Sequence, residues 1–138
     1  MDERLRELVR QRARGRCEYC GFPQEYSVRP YHCDHVIARQ HGGATEMKNL
    51  AWACNRCNLH KGTNLFGIDP ETGKPMRLFN PRQDRWGDHF QWHGSLLAGR
   101  TAIGRTTAHL LDLNDPLLVA TRAALMAEGA FTLGGSSS

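Results

Sequence analysis

Two short stretches, Cys17-Glu18-Tyr19-Cys20 and Cys54-Asn55-Arg56-Cys57, decide how this chain is read. Each places two thiols with two residues between them. That gap lets both sulfurs point at one ion from a tight turn, and Gly21 directly after Cys20 suits such a turn. Zinc takes four soft ligands at tetrahedral corners, with zinc–sulfur distances of about 2.3 Å. Cys17, Cys20, Cys54 and Cys57 therefore read as one structural Zn²⁺ site that closes distant parts of the chain on a single point. A redox C-x-x-C motif would follow a strand in a βαβ context, whereas a charged helical stretch precedes Cys17. The fifth cysteine, Cys33, reads as a small buried hydrophobe on a strand.

Around this frame, 138 residues and 15.5 kDa make one small domain, or one with a long tail. A chain 40% hydrophobic and 23% charged has the composition of a soluble globular protein, which excludes a disordered chain. No apolar run reaches the roughly 18 residues of a membrane span. Met1-Asp2-Glu3-Arg4 lacks the apolar core of a signal peptide, so the expectation is a cytoplasmic, reducing compartment and no membrane partner. Residues 1–64 carry eleven Lys/Arg against seven Asp/Glu, and residues 65–138 carry seven of each. All of the net charge of +4 lies in the first half, which is where a polyanion would bind.

Helical spacing of Leu5, Leu8, Val9 and Ala13 predicts an amphipathic helix over residues 2–14, ended by Gly15. The arginines on its other face suit either solvent or phosphate. Residues 28–38 read as extended, with Val28, Tyr31, Val36 and Ile37 as strand residues, followed by a loop around Gly42-Gly43. A second short strand over 49–54 and a short helix over 55–61, stopped by Gly62, come next. Further on, Asp69-Pro70-Glu71-Thr72-Gly73 has hairpin-turn chemistry between two apolar runs, and His89 to Trp92 alternates like a strand. Helices are expected over 102–111 and from Asp115-Pro116 to about Glu128, and Gly134 to Ser138 reads as a flexible tail.

The chemistry-bearing residues fall between the cysteine pairs and just beyond. In order they are Asp34-His35-Val36-Ile37, Gly42-Gly43, Asn49-Leu50, and Cys57-Asn58 with Lys61. A neutral imidazole is a good base near pH 7, which singles out His35. Asp34 and Asn58 offer hard oxygen ligands, suited to Mg²⁺ or Mn²⁺ rather than to the sulfur corner. Lys61 can reach a phosphate as a point charge. Hydrolysis of a phosphodiester needs such a base, such a cation and a means of orienting the base.

These elements, in this order and spacing, resemble the HNH endonuclease motif in its zinc-stapled form, from Cys17 to about Lys61. Thirteen residues separate His35 from Asn49 and eight separate Asn49 from Asn58, which fits that family. Asn58 stands where the motif's final histidine would be, an asparagine that many members share. Residues 65–127 resemble, with less specific residues, the extension that follows the motif in many bacterial HNH proteins.

The resemblance implies an α+β fold with a ββα-metal core: two short antiparallel strands and a helix around a divalent cation. Residues 1–64 would form that core with its N-terminal helix and zinc site. Residues 65–132 would form a hairpin and two helices packed on it, and 133–138 the tail. It further implies a metal-dependent endonuclease leaving a 5′-phosphate and a 3′-hydroxyl on DNA. His35 would be the general base, Asp34 and Asn58 would hold Mg²⁺ or Mn²⁺, and Asn49 would hydrogen-bond across the loop to fix His35. Lys61, Arg39 and His60 are the candidate nucleic-acid contacts. Such a compact cutter leaves little room for base-specific contacts, so specificity would come from the first helix or the aromatic extension. His32, His41 and Cys33 receive no ligand role, and a monomer and a transient dimer both remain open. The rival readings are a non-catalytic zinc module that binds nucleic acid or protein, and a thiol enzyme.

Overall fold

The computed structural model describes residues 1–131, so the tail expected at 133–138 lies outside the described residues. The chain divides into two units. Met1–Asn64 and Asn80–Gln83 form the first, and Leu65–Phe79 with the residues from Asp84 onward form the second.

In the first unit, α1 runs over Glu3–Arg12, with Asp2 as its cap accepting the Arg4 N–H at 3.0 Å. An uncapped first turn would leave that donor unpaired. Val9 is the fully buried residue of α1, and its arginines divide between solvent and contacts with the rest of the unit. Arg6 lies 4.8 Å over the Trp52 ring and donates to the Tyr31 carbonyl at 2.8 Å. Arg12 donates to the carbonyls of Met47 (2.7 Å) and Leu50. The sequence treats these arginines as one outward face. For Arg6 and Arg12 that is corrected, because backbone carbonyls and an aromatic face take up donors that the long guanidinium stems supply.

Strands β1 (His32–His35) and β2 (Leu50–Ala53) pair antiparallel, His32 opposite Ala53 and His35 opposite Leu50. Helix α2 (Asn55–Lys61) follows directly. The extended segment predicted over 28–38 therefore shrinks to four strand residues. Pro30 has no N–H for a ladder and Val28 is fully exposed. Beyond His35, a side chain rather than a strand takes over the backbone of Ile37. The core of this unit is Val9, Tyr19, Tyr31, Leu50 and Trp52, all essentially inaccessible to solvent. Arg82 returns to it, pairing with Glu18 and donating to the Leu50 carbonyl at 3.2 Å.

Among the described residues, the second unit holds two hairpins and three helices. Strands β3 (Phe66–Ile68) and β4 (Pro75–Arg77) flank the predicted turn. Asp69 organises that turn, accepting from the Glu71 N–H at 3.0 Å and the Thr72 hydroxyl at 3.2 Å. A four-residue helix α3 (Trp86–His89) leads into β5 (Phe90–His93), which pairs with β6 (Leu96–Gly99). Strand β6 has no signal in the sequence, since Leu96-Leu97-Ala98-Gly99 neither alternates nor carries β-branched residues. Helices α4 (Ala102–Leu110) and α5 (Pro116–Ala127) start on the caps Thr101 and Asp115. Trp86, Phe79 and Phe90 form a buried aromatic cluster, with centroids 5.1 Å apart for Trp86–Phe90 and 5.3 Å for Phe79–Phe90. These three rings are core, whereas Phe66 of the same extension is exposed.

Asp69 is 1% exposed, and Arg105 grips both of its carboxylate oxygens, at 3.1 and 2.8 Å. The guanidinium hydrogen bonds hold the Asp69 carboxyl at about 2, below its usual range near 4. A depressed carboxyl contributes stability that is complete above its unfolded value and lost as pH falls through the folded one. The second unit should therefore lose stability between roughly pH 4 and pH 2. Thermal melts followed by near-ultraviolet tryptophan signal should show this slope, and Arg105→Met should flatten it.

Candidate active site

The four sulfurs come from two places. Cys17 and Cys20 sit in a knuckle closed by Cys17 N–H donating to the Phe22 carbonyl (3.1 Å) and Gly21 N–H donating to the Cys17 carbonyl (2.8 Å), with Gly21 at φ +79°. Cys54 caps α2, its sulfur accepting the Cys57 N–H at 3.3 Å. All four ligand atoms lie within 4.8 Å of one another and all four residues are buried. Cys20 and Cys54 are 3.9 Å apart, close to the roughly 3.8 Å edge of a tetrahedron with 2.3 Å metal–sulfur bonds. Hydrogen bonds from Cys17, Cys20 and Cys57 hold the Cys54 thiol far below its usual range, while Cys20 and Cys57 are pushed well above theirs. Packed this tightly, the sulfurs cannot share several negative charges without a cation. The cluster is positioned to hold a metal ion, and its donor set suits zinc.

On the other side of α2, a polar face meets β1. His32 and Asp34 share one face of the strand, since strand side chains alternate. His32 Nε2 lies 2.9 Å from Asn55 Oδ1, and Lys61 Nζ lies 3.1 and 3.3 Å from the two Asp34 oxygens. Asn55, Asn58 and Lys61 are three residues apart, so they share the helix face turned toward β1. Asn58 is half-buried there, and its side chain makes no hydrogen bond among the described residues.

Asp34 is 5% exposed and Lys61 2%. The carboxylate also accepts the Tyr19 hydroxyl at 2.7 Å, and the ammonium donates to the His35 carbonyl at 3.2 Å. Burial pushes the Asp34 carboxyl above its usual range, and Lys61 and Tyr19 oppose that only in part. Reading the sequence as surface chemistry leaves Lys61 solvated or phosphate-bound, whereas here its ammonium is interior and neutralises Asp34. Tyr19, inside the first cysteine pair, escapes sequence reasoning altogether.

Removing one partner of a buried pair commonly costs about 3–5 kcal/mol. Lys61→Met should cost less, roughly 2–3 kcal/mol, because burial already favours a protonated Asp34. A carboxyl raised in the fold binds more protons folded than unfolded, so this variant should regain stability as pH falls. Chemical denaturation at pH 5 and pH 8 measures both effects.

Asn49 clasps the loop between the strands. Its Oδ1 accepts the Ile37 N–H at 3.0 Å, and its Nδ2 donates to the carbonyls of Ile37 (3.0 Å) and Ala44 (2.9 Å). Gly43 lies under this clasp, where an added Cβ would sit 1.7 Å from the Ile37 carbonyl oxygen and 2.7 Å from Asn49 Nδ2. Close approach, rather than an unusual φ, is what demands glycine there. His35 ends β1 half-exposed, its Nε2 2.8 Å from the Thr45 hydroxyl. Arg39, in the turn Arg39–His41, and His60, on α2, are exposed.

The HNH endonuclease family model matches residues 17–64, a span that holds both cysteine pairs and every residue of this face and loop. Residues 17–64 are an HNH domain. Over 102 residues the chain is also 26% identical to the Septu protein PtuB of Bacillus thuringiensis, a match taking in 72% of this chain. The chain covers 37% of that protein, so it spans little more than a third of the relative's length. No solved structure matches the chain. Among the described residues no helix is long and apolar enough to cross a membrane.

Proposed function

We propose that the HNH domain is a metal-dependent endonuclease that hydrolyses DNA phosphodiester bonds within a ββα-metal arrangement stapled by structural Zn²⁺. One observation supports this reading: the Lys61–Asp34 pair sets α2, which carries Asn58, against the strand that carries Asp34 and His35. The Asp34 carboxylate and the Asn58 carboxamide are hard oxygen donors, and a cation held by them would replace Lys61 as the partner of Asp34. A bound Mg²⁺ or Mn²⁺ would neutralise charge on the phosphate and on the leaving oxygen.

The chain's own residues do the rest. His35 takes the proton of the attacking water at Nδ1, the ring nitrogen not engaged by Thr45. The water oxygen bonds to phosphorus, the P–O3′ bond breaks, and the 3′-oxygen collects a proton from solvent. Asn49 keeps the loop, and so the ring, from drifting. Lys61 holds α2 to β1 through the Asp34 carboxylate and the His35 carbonyl. Arg39 and His60 meet the flanking backbone from exposed positions.

A second reading, a non-catalytic zinc-stabilised nucleic-acid-binding module, draws on the same pair, because Lys61 already satisfies Asp34 without a metal. Incubating supercoiled plasmid with Mg²⁺ or Mn²⁺ separates the two. Nicking by the wild type, abolished by chelation and by His35→Ala, supports the nuclease. Binding without cleavage by the wild type across metals and pH supports the module.

A further inference from the structure

We propose that Thr45 is a positioning residue for His35, accepting the Nε2–H and so presenting the Nδ1 lone pair to water. The inference rests on the nuclease reading above and adds a residue to its machinery.

A hydroxyl can donate or accept, so a separation of 2.8 Å between Thr45 Oγ1 and His35 Nε2 permits two tautomers. If Thr45 donates, the proton of a neutral imidazole sits on Nδ1 and that nitrogen is no base. If Thr45 accepts, Nδ1 is the base and Nε2 keeps its proton throughout the cycle. Two observations favour the second arrangement, and a consequence of it suits a base. Nδ1 makes no hydrogen bond among the described residues, which leaves it open to water. Thr45 is exposed, so its own proton has solvent as an acceptor and is not forced onto the ring. The ring also never has to turn: the neutral and the protonated imidazole donate to Thr45 from the same nitrogen in the same place.

Thr45 is delivered rather than adventitious. Its neighbour Ala44 is tied through its carbonyl to Asn49, and Gly43 is pressed against the Ile37 carbonyl at a distance that excludes any Cβ. A clasp built on Asn49 thus ends at a hydroxyl that touches the imidazole. The spacing between these groups is set by backbone, and the hydroxyl is the last link.

The test compares Thr45→Val, which is nearly isosteric, with Thr45→Ser, which restores the hydroxyl. In the full-length, zinc-loaded protein, ¹⁵N-histidine spectra should show His35 almost wholly as the Nε2–H tautomer in wild type and Thr45→Ser. Thr45→Val should relax toward the mixture of a free imidazole. In plasmid cleavage, Thr45→Val should lose about five- to tenfold in kcat with KM unchanged, and Thr45→Ser should recover most of it. An Nδ1–H tautomer in the wild type, or identical spectra for wild type and Thr45→Val, overturns the proposal. A wild type that cleaves nothing while its spectra behave as described overturns the nuclease reading instead, and leaves Thr45 as the residue that sets the ring.

Discussion

Serine at Cys20 is expected to unfold the first unit in solution, or to leave it folded only at low temperature. A structural zinc site in a small domain contributes an apparent 10–16 kcal/mol, roughly, of folding free energy, and losing one thiolate forfeits several of these. That is comparable to the whole stability of an ordinary small domain, about 5–15 kcal/mol. The dependence is severe here because the sulfurs join the knuckle at Cys17–Cys20 to the start of α2, with no disulfide between them. Metal analysis should find about one zinc per wild-type chain, released only together with unfolding, and none retained by Cys20→Ser. The control is Cys33→Ser: Cys33 lies on β1 outside the cluster, so zinc content should stay at one. A Cys20→Ser protein that keeps its zinc and its melting temperature would show that sulfur does not close this fold. A wild type that holds no zinc and turns over thiols would revive the redox alternative.

Alanine at His35 is expected to do the opposite, sparing the fold and removing the chemistry. The ring is half-exposed and its hydrogen bond goes to an exposed threonine, so melting should shift by no more than the ~0.5 kcal/mol usual at surface positions. Plasmid cleavage should fall by about 10²- to 10⁴-fold, the usual worth of a general base. Asn49→Ala makes the informative comparison, because it removes the loop clasp without touching the imidazole. If His35→Ala melts far below the wild type, the histidine is structural and the assignment of the base fails. If it melts normally and cuts normally, another group removes the proton.

The parts of this molecule that could be read from the sequence are those governed by short-range rules. Paired cysteines with a glycine behind them, the aspartate ahead of a helix at Asp115, and the Asp69–Gly73 turn each depend on neighbours within four residues. The burial of Lys61 depends on which face of α2 meets β1 and on Tyr19 arriving from the cysteine knuckle, and neither is written in local spacing. The same holds for Arg6 and Arg12, whose arginine-rich helix looks like a uniform charged surface until Trp52 and the carbonyls of Tyr31, Met47 and Leu50 are set beneath it. Thr45 is an unremarkable loop residue until the Asn49 clasp brings its hydroxyl to His35. Strand β6 illustrates the remaining gap: a four-residue edge without β-branched side chains forms because β5 offers it a partner.

Helix α2 is only seven residues long, about two turns, and a peptide that short has almost no helicity of its own. It is held like a beam pinned at both ends, by sulfur at Cys54 and Cys57 and by the Asp34–Lys61 pair at its far end, with Asn58 at mid-span. Stripping the zinc would therefore sag the middle of the beam as well as its root. The cation proposed at Asp34 and Asn58 would then be lost in sequence with the sulfur-bound one, and not independently of it.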